Sequence, residues 1–456
     1  MHNSVSSTDI PVSVPLVEKP LNLWQSFRAA RENIVGIIPK IATREPIVSG
    51  KTGTRWHMIT DPDAIRAVVL ERVEQYPKSV VTKNLLKPAI GDSLFIAEGA
   101  EWRWQRRTAA PVFSHRNVMN LAPIMSAAAE RSSKRIAAAG SKRAVNLFDE
   151  MVTATFDVIG DVTFSGDGSF DRELVHQAID HYISEAGKVS LLDMLGMPAW
   201  IPRPAQLRSD PGMTDMKRMA DAAISARAEN GGQDVPDLLD LLLGGEDPKT
   251  KRKMTTAELR DNLLAFIVAG HETTALSLSW ALYLCAFDQK VQDRARAEAQ
   301  SVLSDDRAAQ GADVESLPFV RQIIDEALRL YPPAAMVSRT AQTKDELCGT
   351  EILPGDTVIL PIYALHRSER LWENPDAFEP ERFADRASIN RYAYLPFGDG
   401  PRICIGASFA LQEAVIILAT LLSRFRFTPV KGRDPKPVMI LTLRPENGVW
   451  LMAEPA

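Results

Sequence analysis

Three stretches of this chain carry side chains whose types and spacing could do chemistry. In the first, Phe397-Gly398-Asp399-Gly400-Pro401-Arg402-Ile403-Cys404-Ile405-Gly406, one cysteine stands among three glycines, and the apolar helical pattern Ala407–Arg424 follows it. Glycines admit positive φ and close backbone approach, so the loop can aim amide N–H groups at a sulfur just ahead of a helix N-terminus. That setting favours a thiolate, and Arg402 would strengthen the bias or bind an anion. The plainer alternative is a small buried cysteine in an ordinary glycine loop, the usual fate of a lone Cys.

The second stretch, Ala269-Gly270-His271-Glu272-Thr273-Thr274, lies at the middle of the longest helical pattern. The pattern opens at a capping box, Thr255-x-x-Glu258, and runs to about Phe287, roughly 48 Å at 1.5 Å per residue. A mid-helix Gly costs about 1 kcal/mol, and Thr hydroxyls compete for backbone carbonyls, so this helix is weakest at its centre. Local weakness in a helix long enough to cross a domain points to a site. The string begins like the zinc-protease pattern H-E-x-x-H, but Ala275 stands where the second His belongs, so no metal pair forms. Cys404 likewise has no neighbouring Cys or His at metal-site spacing and no evident base for a cysteine hydrolase.

The third is a set of charges. Glu326 and Arg329 sit at i, i+3 on one helix face just before Pro332, and Arg382 follows in Pro380-Glu381-Arg382-Phe383. Trp102 and Arg106 share a face at i, i+4. Taken alone, such pairs are most often solvated bridges or an aromatic beside a surface Arg.

The elements that must hold these residues are mainly helical. Residues 46–59 read as two short strands around Gly50 and Gly53, and 61–71 as a helix capped by Asp61. From 102 to 303 the pattern is almost wholly helical, broken by turns near Gly166, 198–204 and 231–236. Two hairpins are expected near the end, one turning at Pro354–Gly355 and one near Asn447–Gly448. The expected fold is mainly α with small β-sheets, a long central helix and the cysteine loop near the C-terminus. Residues 1–20 read as a flexible tail and 21–456 as one domain, since no repeat, linker or low-complexity tract divides the chain.

Composition narrows the function. A net charge of −5 over 456 residues argues against a polyanion partner, so nucleic acid is not expected. The first twenty residues have neither a basic region nor an apolar core suited to a signal peptide. Three well-separated cysteines, Cys285, Cys348 and Cys404, do not make a disulfide framework and fit a reducing compartment, which gives a cytoplasmic expectation. Residues 262–287 are long and nearly uncharged, but Glu272 and His271 near the middle would cost roughly 2.5–3.5 kcal/mol per charge in a bilayer, so no membrane span is expected.

The loop at Cys404 meets every fixed position of F-x-x-G-x-R-x-C-x-G and so resembles the haem-binding loop of the cytochromes P-450. Four further matches in the family's order extend the resemblance from about Trp56 to Trp450. It implies haem b with Cys404 as axial ligand to the iron, in the loop bounded by Phe397 and Gly406; a thiolate there favours O–O cleavage. It further implies Arg402, Trp102, Arg106, Arg339 and His366 as contacts to the haem propionates, and Glu326, Arg329 and Arg382 as a buried structural network behind the haem. Ala269 to Thr274 resembles the family's (A/G)-G-x-(D/E)-T-(T/S) segment, with Gly270 leaving space for dioxygen. Cleaving dioxygen consumes two protons, so Glu272 would relay them and the Thr273 hydroxyl would orient water.

The resemblance implies a monooxygenase that hydroxylates an apolar organic substrate, with electrons from NAD(P)H. No flavin domain or iron–sulfur cysteine cluster is evident, so a separate reductase with a ferredoxin or flavodoxin is expected, docking near Arg103 and Arg107. The alternatives are a haem-thiolate peroxygenase, a dioxygen-independent isomerase or dehydratase, and a haem sensor. The family's pocket would map to 85–94, 170–213, Phe266, Ala269, 334–337 and 441–442, mostly apolar or small residues that choose no particular substrate.

Overall fold

The computed structural model describes residues 10–164, 172–182, 211–232 and 236–456. The turns expected near Gly166 and 198–204, and most of the pocket stretch 170–213, lie outside the described residues.

The fold is mainly α with small sheets, as the pattern predicts. Its axis is the central helix Thr256–Phe287, whose capping box is formed in both directions: Thr255 accepts from the Glu258 N–H, and Glu258 accepts from the Thr255 N–H at 2.8 Å. From Ala275 to Ala286 every residue of this helix is buried, Leu276, Leu278, Trp280, Leu282 and Leu284 completely. Each such leucine contributes about 1.5–3 kcal/mol on leaving water, which outweighs the local cost of the weak centre. The helix packs on Leu147–Phe164, Pro211–Asn230, Pro318–Leu330 and the apolar helix Ala407–Arg424. Ala407–Arg424 is, among the described residues, the one helix long and apolar enough to cross a membrane, and 67% of it is buried inside the protein.

Among the described residues, four small sheets flank the helices. β1 (Ile47–Thr52) and β2 (Thr54–Ile59) form the expected hairpin, turning at Gly53 with φ 79°. The other two expected hairpins need correction. The chain at Pro354–Gly355 does not fold back on itself: β5 (Asp345–Leu347) pairs with β6 (Thr350–Ile352), turning at Cys348–Gly349, while β7 (Thr357–Leu360) joins β2 in parallel and β4 (Val337–Thr340) antiparallel. Near the end, β9 (Pro437–Met439) pairs with β10 (Leu443–Pro445), and Asn447–Gly448 merely carries the chain across to β11 (Trp450–Pro455), which lies between β3 (Ala144–Asn146) and β8 (Phe425–Pro429). In both places the turn residues are real, but a strand's partner is set by the tertiary fold and not by the nearest turn.

The tail also differs from expectation. From residue 10 onward it is docked: Val14 is buried and its N–H donates to the Tyr363 hydroxyl, Val12 donates to Tyr283, and Tyr331 donates to the Val12 carbonyl. The helix expected over 61–71 begins as drawn, with Asp61 accepting from the Asp63 and Ala64 N–H groups, but past Arg66 it widens into a π-turn over Ala67–Glu71.

Candidate active site

The Cys404 loop is built from short-range backbone bonds. Cys404 N–H donates to the Phe397 carbonyl at 2.8 Å, Ile403 to Gly400 at 3.1 Å and Gly398 to Leu395 at 3.1 Å. Gly400 has φ 69°, and a Cβ there would collide with the carbonyl oxygen of Val69, which the π-turn pushes against the loop. No other residue fits that position. The Cys404 thiol has open surface, yet the protein packed round it pushes its pKa up; the Gly406 amide and the Arg106 guanidinium pull the other way without prevailing. Burial and the local donors thus oppose one another at this sulfur, and a bound cation would add to the side that favours the thiolate.

Beside the loop lies a cluster of cations. Lys78, Lys83, Arg339 and Arg402 surround one carboxylate, Glu98, which pairs with Arg402 and accepts from the Lys78 N–H at 2.7 Å. Lys78 Nζ donates to the Leu94 and Ala97 carbonyls, both at 3.1 Å. Burial lowers the Lys78 pKa to about 7 and that of Arg339 to about 10. The Arg402 guanidinium stands over Trp102 at 5.5 Å, and its Nε is a buried donor with no partner. Four cations to one carboxylate, with an orphaned donor among them, is a site that would take further anionic oxygens.

On the central helix, residues 265, 267, 271, 272 and 274–286 are buried, whereas Phe266, Val268, Ala269, Gly270 and Thr273 keep partial exposure. Phe266, Ala269, Gly270 and Thr273, at i, i+3, i+4 and i+7, share one helical face, so a stripe stays uncovered at the middle of the helix, with Val268 partly exposed beside it. A Cβ on Gly270 would meet only Ile159 at 3.5 Å, an ordinary contact, so packing does not demand the glycine. Thr273 donates to the Ala269 carbonyl at 2.8 Å, which leaves its oxygen free to accept. Glu272, nearly fully buried, accepts from Thr442 Oγ1 at 2.7 Å and from Arg444 Nε.

Glu326, Arg329 and Arg382 are brought together in the interior. Arg329 donates to both Glu326 oxygens, at 2.7 and 2.8 Å, and to the carbonyls of His366, Pro375 and Ala377. Arg382 donates to Glu326 Oε1 at 3.0 Å. His366 belongs to this network and not to a propionate: Nδ1 lies 3.1 Å from the Arg329 carbonyl and Nε2 accepts from the Leu395 N–H at 2.9 Å, so both ring nitrogens are engaged. Burial, with Arg329 close by, holds its pKa down to about 3. The expected docking pair is engaged within the chain. Arg107 makes a two-bond contact with Asp247 at 2.6 and 2.7 Å and Arg103 pairs with Glu74, so neither guanidinium is an unpaired surface charge.

The cytochrome P450 family model matches residues 20–452. The chain belongs to this family. Among its relatives, cyclooctatin synthase of Streptomyces melanosporofaciens is 32% identical over 83% of this chain and 82% of the relative. Cyclooctat-9-en-7-ol 5-monooxygenase of the same organism is 30% identical over 92% and 90%. A bifunctional cytochrome P450/NADPH–P450 reductase of Bacillus subtilis (strain 168) is 32% identical over 78% of this chain, but the match covers 34% of that protein.

This cytochrome P450 is therefore an oxidoreductase of the haem-thiolate monooxygenase class, and the residues present fit the haem. The Cys404 thiol would hold the iron, and the cation cluster with its orphaned Arg402 donor would hold the propionates. Sequence reasoning missed Lys78 and Glu98 in that cluster and Arg444 on Glu272. None stands in a recognisable local pattern, and each acquires its role only through contacts distant in sequence.

Proposed function

We propose that this cytochrome P450 uses dioxygen to hydroxylate an apolar organic substrate, with electrons from NAD(P)H delivered by separate redox proteins of the ferredoxin or flavodoxin kind. The observation that carries the reading is the open stripe on the central helix. It presents apolar Phe266 and Ala269 together with the Thr273 hydroxyl, with the Glu272 carboxyl adjacent, just ahead of the fully packed half of the helix, Thr274–Ala286. Dioxygen cleavage draws two protons from solvent, a demand that a peroxygenase supplied with peroxide or an isomerase does not make, and an alcohol beside an acid suits that demand.

When bound, haem supplies the redox chemistry that activates dioxygen. The protein's own part is positioning and proton traffic. Cys404 would hold the iron, and Arg402, Arg339, Lys78, Arg106 and Trp102 would bind the propionates. Thr273, its proton committed to the Ala269 carbonyl, accepts a hydrogen bond from a water and so points that water's other hydrogen into the site. Glu272 replaces the protons consumed. The apolar stripe excludes bulk water from the substrate's side. The substrate named for one relative, cyclooctat-9-en-7-ol, is a reasonable first compound in a library screened by spin-state change. Work in the cytosol accords with three free cysteines.

Thr273→Ala tests the reading. The variant should bind haem and substrate and consume NAD(P)H and dioxygen, while product falls and hydrogen peroxide rises. Unchanged peroxide per NAD(P)H would mean that Thr273 only caps a backbone carbonyl, and the monooxygenase mechanism drawn here would be withdrawn.

A further inference from the structure

The Glu272 carboxylate is not held symmetrically. Thr442 and Arg444 both donate to the same oxygen, Oε1, and no described residue donates to Oε2. Nor is Oε2 among the fully sealed side-chain atoms without a partner, so part of the 2% of Glu272 left uncovered by protein belongs to this oxygen. The two donors flank Leu443: Arg444 lies in β10 and Thr442 is the residue immediately before that strand. Leu443 itself is completely buried and pinned twice. Its N–H donates to the Pro333 carbonyl at 3.0 Å, and its carbonyl accepts from Trp280 Nε1 at 3.1 Å. Trp280 lies on the same central helix as Glu272, eight residues on, and is stacked on Tyr331 at 4.1 Å. The hairpin strand is thus clamped to the helix by Leu443, and Thr442 and Arg444 are delivered to Glu272 by that clamp.

We propose that Arg444, with Thr442, is a positioning residue for proton delivery: anchoring Glu272 through Oε1 reserves Oε2 as the oxygen that carries the proton toward Thr273. This rests on the reading of Glu272 as the acid. The step balances without any added reagent. The O–H bond at Oε2 breaks as its proton passes to a water held by Thr273, and Oε2 then takes a proton back from solvent water. Neither Thr442 nor Arg444 exchanges a proton in this scheme; each fixes where the carboxyl points.

The test uses substrate-free holoenzyme reduced by NADPH through a surrogate ferredoxin and its reductase, so that no substrate need be known. Arg444→Ala, Arg444→Lys and Thr442→Val are compared in the native background and with Glu272→Gln. Haem content, melting temperature and the Kd for imidazole report on structure. The rate of dioxygen consumption and its solvent isotope effect report on proton delivery. In the native background Arg444→Ala should slow dioxygen consumption several-fold and alter the isotope effect, Thr442→Val should do so less, and Arg444→Lys should recover part of the loss. With Glu272→Gln already present, none of the three should add to it, because coupled residues give non-additive effects. Equal losses in both backgrounds, or altered imidazole binding with an unchanged isotope effect, overturn the proposal and leave the hairpin as a pocket wall. If Glu272→Gln alone changes neither rate nor isotope effect, the reading of Glu272 as the acid fails first. Should Arg444→Ala not accumulate as holoenzyme, Arg444→Lys and Thr442→Val decide by the same criteria.

Discussion

Glu326 and Glu272 are both buried carboxylates paired with arginine, and they are satisfied very differently. Glu326 is saturated: Oε2 takes Arg329, and Oε1 takes Arg329, Arg382 and the Glu379 N–H. Glu272 takes two donors on one oxygen and none from described residues on the other. A fully satisfied buried network rigidifies whatever it ties together, whereas a carboxylate with an open oxygen can still exchange a proton. The first ties the helix Pro318–Leu330 to the loop around 366–382. The second stands beside the open stripe of the central helix. Burial and an arginine partner do not by themselves distinguish anchoring from chemistry; the count of filled lone pairs does.

The largest effect should come from breaking the saturated side. Arg329→Ala leaves Glu326 without its two-bond partner and three backbone carbonyls without a donor. Loss of one partner of a buried pair costs on the order of 3–5 kcal/mol, a large part of a domain's total stability. The variant should be recovered as aggregate or without haem, measured as soluble yield and haem per protein. Glu272→Gln, by contrast, should load haem normally. A soluble, fully loaded Arg329→Ala protein would erase the contrast between the two carboxylates.

Next in size is Cys404→Ala, which should fold around the same saturated network and yet lose the red-shifted Soret band of the reduced carbon monoxide complex. Cys285→Ala and Cys348→Ala should keep it. Cys285 lies fully buried in the core with its thiol pKa pushed up by burial, and Cys348 is exposed in the β5–β6 turn. Retention of the band by the Cys404 variant would remove the ligand assignment.

How much of this was legible in the sequence follows from the range of the interactions. The Cys404 loop and the Glu326–Arg329 pair are local, and so their chemistry is written in adjacent residues. Arg382, 53 residues beyond Arg329, was placed only by family resemblance. His366 came from the same resemblance and was misplaced, because its ring had no pattern to show that two backbone groups would claim it. Arg444 reaches Glu272 across 172 residues and could not be read at all. The two misdrawn hairpins have the same origin: Pro354–Gly355 and Asn447–Gly448 state where the chain bends, while only the assembled sheet states what β7 and β11 pair with.

The smallest expected effect concerns a third buried carboxyl, Glu413 on the helix Ala407–Arg424, which has neither kind of partnership. It is almost wholly buried, its Oε1 has no hydrogen-bond partner, and Thr274 of the central helix is the polar side chain set against it. Burial raises its pKa well above the ordinary value, with Thr274 only partly opposing. The folded state therefore keeps this proton over a range of pH in which the unfolded chain, titrating near about 4.3, has lost it. With more protons bound folded than unfolded, stability must fall as pH rises through that range, by at most about 1.4 kcal/mol per pH unit from this group. Glu413→Gln keeps the shape and cannot titrate. Urea unfolding of the two proteins should give midpoints that nearly coincide at pH 4 and separate progressively in favour of Gln toward pH 8, with haem loading equal. Parallel curves would show that Glu413 is already ionised and paired in the fold, and would move it from the unsatisfied to the satisfied side of the comparison.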